Sequence, residues 1–197
     1  MTLRTWLTAF VASALLLAAG SASAGSIGLK LSGDGVVNDS TVRAGQPISV
    51  DIYVENDSLY TGFAFGFAVT SPDSSVKAIV HLPDSGKGLN KQGDVKGFNG
   101  WQDHSIWNFG GVYAVESDWD SEMPELIGFG GLSIQQEYQP HPYQKVLSFS
   151  FMVPEPGVIK VDSSFFPPGG AWMLATPVPD TFELPEWNGP LVFKVVK

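Results

Sequence analysis

Asp103 and His104 stand side by side in GWQDHSIWNFGG, the stretch from Gly100 to Gly111, with Trp101, Trp107 and Phe109 around them. A carboxylate beside an imidazole is the raw material of acid–base chemistry. A group of indole and phenyl rings is the raw material of a sugar-stacking surface, because sugars present C–H faces to such rings. Geometry weighs against the first use. Neighbours on an extended strand point to opposite faces, so adjacent side chains rarely act on one proton. Alternation puts Trp107 and Phe109 on one face and Ile106 and Asn108 on the other, and it predicts a largely buried Trp107 in a core strand. Trp101, Asp103 and His104 then fall in a glycine-rich approach loop, with Trp101 the more exposed ring. Together with Trp119 they are the candidate ligand-binding residues.

A second group sits in ESDWDSE, where Glu116, Asp118, Asp120 and Glu122 are spaced by two. On an extended segment that spacing turns several carboxylates one way, and hard cations such as calcium take oxygen clusters of this kind. The alternative is a solvated acidic loop that needs no ion. No other cofactor is expected. Gly33-Asp34-Gly35 imitates the middle of an EF-hand loop, but that frame puts Lys30 at the leading ligand position, so it reads as a turn between two strands. His81, His104 and His141 form no H-x-H, H-x-x-H or H-E-x-x-H pair. The chain has no cysteine, and with it no thiolate nucleophile or disulfide. It also lacks a G-x-S-x-G elbow and a phosphate-cradling loop. A glycosidase needs only two facing carboxylates and leaves almost no sequence signature, so a glycan-active hydrolase stays open as an alternative.

The elements that must position these residues are strands. Ile48, Val50, Ile52 and Val54 alternate with Ser49, Asp51, Tyr53 and Glu55, a period of two with one face buried. GFAFGFAV alternates Phe63, Phe65, Phe67 and Val69 with Ala64, Gly66 and Ala68, so one face is bulky and the other nearly bare. The bare face is a candidate contact surface, because small residues let a partner approach closely; burial beneath a second sheet would rule it out. VLSFSFMV repeats the pattern with Leu147, Phe149 and Phe151. Shorter strands are expected at 26–31, 76–81, 105–114, 126–133, 158–162, 171–174 and 190–196. Turns at Asn56-Asp57-Ser58, Ser71-Pro72-Asp73 and Pro154-Glu155-Pro156-Gly157 punctuate them. The expected fold is all-β: a two-sheet antiparallel sandwich, jelly-roll-like, of about nine or ten strands in a single domain over 25–197.

Residues 1–24 carry one early positive charge, Arg4, then an apolar run, then Ala22-Ser23-Ala24, which matches a secretory signal cleaved before Gly25. The expected compartment is therefore extracellular or periplasmic, with no membrane insertion, since no second apolar run follows. The 197 residues carry a formal net charge of −9, which repels phosphate backbones and argues against nucleic acid. Oligomeric state leaves no signature here.

TVRAGQPISVDIYVEN contains a V-x-x-G-[DQ]-x-[IV] turn leading into an alternating strand. TGFAFGFAVTSPD and KVLSFSFMVPEPGVIKVDSSF follow it with paired bulky strands and a Pro-Gly connection. In this layout the chain resembles the cohesin-like and carbohydrate-binding β-sandwich modules of secreted bacterial proteins. The resemblance implies a jelly-roll-like sandwich whose relatives bind dockerins or polysaccharides without catalysis, and it transfers no individual binding residue. The reading is a secreted, non-enzymatic binding or structural module for protein or polysaccharide. The carboxylate-pair hydrolase and a calcium-stabilised structural component are the alternatives.

Overall fold

The structure is a computed structural model and describes residues 25–82, 101–103, 112–117, 122–132, 140–165, 172–178 and 181–197. The described residues contain strands and turns but no helix. The alternating segments of the sequence become the long strands β1 (Ser26–Ser32), β4 (Pro47–Asn56), β5 (Gly62–Thr70), β9 (Glu125–Leu132), β10 (His141–Met152), β11 (Gly157–Ser163) and β15 (Leu191–Val196). Between them lie β2 (Val36–Asn38), β3 (Thr41–Arg43), β6 (Val80–His81), β7 (Trp101–Asp103), β8 (Val112–Ser117), β12 (Met173–Ala175), β13 (Phe182–Glu183) and β14 (Glu186–Trp187).

Two sheets result. The six-stranded sheet runs β14-β1-β4-β10-β6, with β7 also paired to β10. The nine-stranded sheet runs β13-β12-β5-β11-β15-β3-β2, with β9 on β5 and β8 on β9. Their inner faces meet in one cluster of buried residues. Ile48, Val50, Ile52 and Val54 of β4 and Phe149 and Phe151 of β10 come from one side, and Phe63, Phe65, Phe67 and Phe129 from the other. The ring centroids of Phe67 and Phe129 both lie 6.1 Å from that of Phe149, which bridges the sheets.

The two-sheet sandwich is as expected, and the difference lies in its edges. Among the described residues fifteen strand segments replace the expected nine or ten. The additions β2, β3, β7, β13 and β14 have two or three residues each, too few to display a period of two. Two pairings are parallel, β1 with β14 and β15 with β3, rather than antiparallel. A hairpin forces antiparallel pairing; strands joined by longer connections are free of that constraint, and both pairs are of the second kind. The expected strand at 76–81 shrinks to β6, although Val76 and Ile79 remain buried in the core. Its approach is an irregular turn in which Asp73 accepts hydrogen bonds from Ser71 Oγ, Ser75 N and Ser75 Oγ. Of the expected strand at 105–114, residues 112–114 fall in β8, and 104–111 lie outside the described residues. The Gly33-Asp34-Gly35 stretch is the turn it was read to be, closed by Val36 N donating to Gly33 O at 3.1 Å.

The bulky face of β5 sets a demand on β9. Phe63 lies opposite Gly131, and a Cβ at Gly131 would overlap the Phe63 ring. Because Phe63 is itself buried, it has nowhere to swing. Gly131→Ala is expected to cost about 1–3 kcal/mol by overpacking. A lower denaturant midpoint with an unchanged slope is the readout.

Candidate functional site

The outer face of the nine-stranded sheet is built by the residues between the phenylalanines. Phe63, Phe65, Phe67 and Val69 point inward and are buried, so Gly62, Ala64, Gly66 and Ala68 fall on the other side of β5. Strand β9 answers in register. Gly66 lies opposite Gly128, Ala64 opposite Gly130 and Ala68 opposite Leu126. On the other side Met173 and Ala175 of β12 pair with Ala64 and Gly62, and Phe182 of β13 pairs with Ala175. The centre of this face is therefore backbone with hydrogen or methyl groups on it. The second sheet packs against the phenylalanine side, so the bare face of GFAFGFAV is not covered by it. Gly62, Ala64, Gly66 and Gly128 are nonetheless buried, and Ala68 is half-buried.

The rim is apolar. Phe182 is 58% exposed, and Val192 and Val196 of β15 and Val37 of β2 are also exposed. Register puts all four on the outer side: Phe193, Val195 and Val36, next to the three valines, pack inward, and Phe182 pairs with Ala175, whose neighbour Leu174 is buried.

The outer face of the six-stranded sheet has the opposite character. Lys30, Asp51 and Ser148 stand in one row across β1, β4 and β10. Lys145 Nζ lies 3.5 Å from Asp51 Oδ2, and Ser49 Oγ and Ser150 Oγ are 2.6 Å apart. Tyr53 and Tyr143 stack with centroids 5.3 Å apart, and Lys30 Nζ sits 4.4 Å above the Tyr53 ring. Charges and rings on this face are engaged with one another.

The candidate ligand residues are placed only in part. Trp101 and Asp103 lie in β7, paired with Phe149 and Leu147 of β10. They belong to a strand rather than to the expected approach loop; their side chains lie outside what is described. His104, Trp107 and Trp119 lie outside the described residues, as do Asp118 and Asp120 of the calcium candidate. Glu116 lies in β8 opposite Gly128, at the border of the bare face, and Glu122 is exposed in the turn before β9. Among the described residues no group of three or more His, Cys, Asp or Glu could hold a metal ion. Sequence reasoning missed the β9, β12 and β13 half of the bare face. The signal was present in LIGFGG, which alternates bulky and bare residues as β5 does.

Two further tryptophans, Trp172 and Trp187, brace the open side of the sandwich. Trp172 Nε1 donates to Gly66 O at 2.7 Å, and Trp187 Nε1 donates to Asp162 Oδ1 at 3.1 Å. Burial pushes the Asp162 carboxyl up, but hydrogen bonds from Lys160, the Ser163 amide and Trp187, with the Lys160 charge, outweigh it and hold the pKa below the usual range. A lowered folded-state pKa stabilises the fold above the unfolded-state value and ceases to do so as pH falls through the folded-state value. Melting temperature is therefore expected to drop below about pH 4 more steeply in the wild type than in Asp162→Asn, which has no charge to lose. Parallel acid limbs would contradict this. Close by, Tyr60 Oη donates to Glu183 Oε2 at 2.6 Å, and burial followed by that bond drives the phenol above the usual tyrosine range. Tyr60→Phe removes this donor and is expected to cost about 1–3 kcal/mol in chemical denaturation.

No family model matches the sequence, and no curated protein is similar to it. Solved structures do resemble it. A type II cohesin domain from the cellulosome of Acetivibrio cellulolyticus is 14% identical, with 86% of this chain and 94% of that one covered and a TM-score of 0.52. Type II Cohesin A11 from Bacteroides cellulosolvens is also 14% identical, with 87% and 100% covered and a TM-score of 0.52. The chain thus has a cohesin-like fold.

Proposed function

We propose that this chain is a secreted, non-enzymatic recognition module that binds a protein partner on the outer face of its nine-stranded sheet. The observation that carries the proposal is the contrast between the two outer faces. One is polar and internally paired. The other carries only glycine and alanine at its centre, where Ala68 is the half-exposed position, and is apolar at its rim, where Phe182 is 58% exposed. A bare sheet lets a partner's helix or strand come within van der Waals distance of the backbone, and exposed apolar side chains around it gain from being covered. Among the described residues the face has no row of coplanar rings of the kind that sugar stacking uses, which favours protein over polysaccharide. The cohesin-like fold fits this reading, and the signal-like pattern of 1–24 fits secretion.

Calorimetric titration against a panel of dockerin modules, with soluble polysaccharides as the other arm and reducing-end release followed in parallel, tests the proposal. Saturable one-to-one binding to a protein, without sugar release, is the expected result. Release of reducing ends, or retention by polysaccharide alone, would overturn it.

A further inference from the structure

We propose that the open side of the sandwich is a second recognition site, separate from the flat face, for a peptide segment that carries an apolar side chain flanked by lysine or arginine. Strand β13 is the last strand of the nine-stranded sheet and β14 the last of the six-stranded sheet. The chain from Phe182 to Trp187 therefore crosses from one sheet to the other, with Leu184 and Pro185 at the crossing. Beside it lies a pocket of about 380 Å³ lined by Ser163, Ser164, Phe165, Trp172, Leu184, Pro185 and Trp187. That volume falls at the lower end of the range of about 300–1,000 Å³ for ligand sites, enough for an apolar side chain with its neighbours.

The pocket wall is rigid and presents carbon. Trp172 and Trp187 meet edge to face, with centroids 4.9 Å apart and planes at 74°. Both indole N–H groups are already used, one on Gly66 O and one on Asp162 Oδ1, so the rings are fixed in place. At the mouth stand Phe165, 74% exposed, and Leu184, 63% exposed. Large apolar side chains held open around a rigid aromatic corner are a docking feature. A corner of two rings at 74° receives one side chain; it offers no flat platform for a sugar ring.

Charge chooses the occupant. The described residues between Val161 and Phe193 include Asp162, Glu183 and the exposed Glu186 and no lysine or arginine. Lys160, just outside, is paired with Asp162 at 2.6 Å. The segments that line the pocket are thus acidic, within a chain of formal net charge −9. Such a field attracts cationic segments and repels anionic ones.

The test uses fluorescence anisotropy of three labelled probes titrated with the protein: an alternating Lys–Leu peptide, a Glu–Leu peptide of the same length and a cello-oligosaccharide. The Lys–Leu peptide is expected to bind, more weakly as salt rises, and the other two are not. Phe165→Ser with Leu184→Ser, both at exposed positions, is expected to weaken that binding by about tenfold or more without lowering the melting temperature. Glu186→Lys weakens it by a smaller, salt-sensitive factor. Ala68→Arg, on the flat face, leaves it unchanged, so this site and the flat-face proposal fail independently. Absence of Lys–Leu binding, equal binding of the Glu–Leu peptide or the oligosaccharide, or full binding by the double variant would each overturn the inference. So would loss of binding in Ala68→Arg.

Discussion

Phe67→Ala is expected to destabilise the protein by about 3–5 kcal/mol, the cost of emptying a large aromatic from a closed core. Phe67 is fully buried, and its ring lies within reach of Phe129, Phe149, Trp172 and Trp187. It thus joins β5 and β9 of one sheet, β10 and β14 of the other, and Trp172 at the open side. Truncation removes contacts to all of them, and the surrounding strands are tied by ladder hydrogen bonds that resist collapse into the void. Against a typical total stability of about 5–15 kcal/mol, this is a large share. The control is Phe165→Ala, which removes an equally large ring from an exposed position and is expected to stay within about 0.5 kcal/mol. Equal losses in the two variants would mean that the core is not organised around Phe67.

Ala68→Arg combined with Phe182→Ala is expected to weaken the protein partner by about 100-fold or more while leaving the melting temperature within a few degrees of wild type. Ala68 is half-buried on the outer side of β5, opposite Leu126, and Phe182 is an exposed ring at the rim of the same face. A long charged side chain at the first position holds a partner away from the backbone, and truncation at the second removes an aromatic anchor. An aromatic anchor or a close backbone approach that a partner fully covers can carry about 2 kcal/mol or more, which sets the size of the effect. Neither change touches the packed side of the sheet, so stability and binding should separate. An unchanged affinity would place the partner elsewhere on the molecule.

Much of the sandwich could be read from alternation alone. GFAFGFAV announced both a phenylalanine face for the core and a bare face opposite it, and both are present in β5. LIGFGG carried the same message for β9, and the two strands pair residue for residue. The crossing from β13 to β14 had no such signal. Its strands are two residues long, and its stabilising bonds reach far along the chain: Trp187 to Asp162, and Glu183 to Tyr60. Nothing local to Trp187 therefore reports that it packs against Phe67. Trp101 and Asp103 looked like loop residues because glycines flank them. Their strand exists only through pairing with β10, a partner distant in sequence, and local composition does not report distant pairing.

Hydroxyl-radical footprinting of the protein alone and in complex with its partner tests the central claim most directly. Phe182 and Met173 mark the outer face of the nine-stranded sheet, and Tyr53 and Tyr143 mark that of the six-stranded sheet. Binding is predicted to protect Phe182 and Met173 from oxidation and to leave the two tyrosines at their free rates. Protection of Tyr53 and Tyr143 with Phe182 and Met173 unchanged would contradict the account.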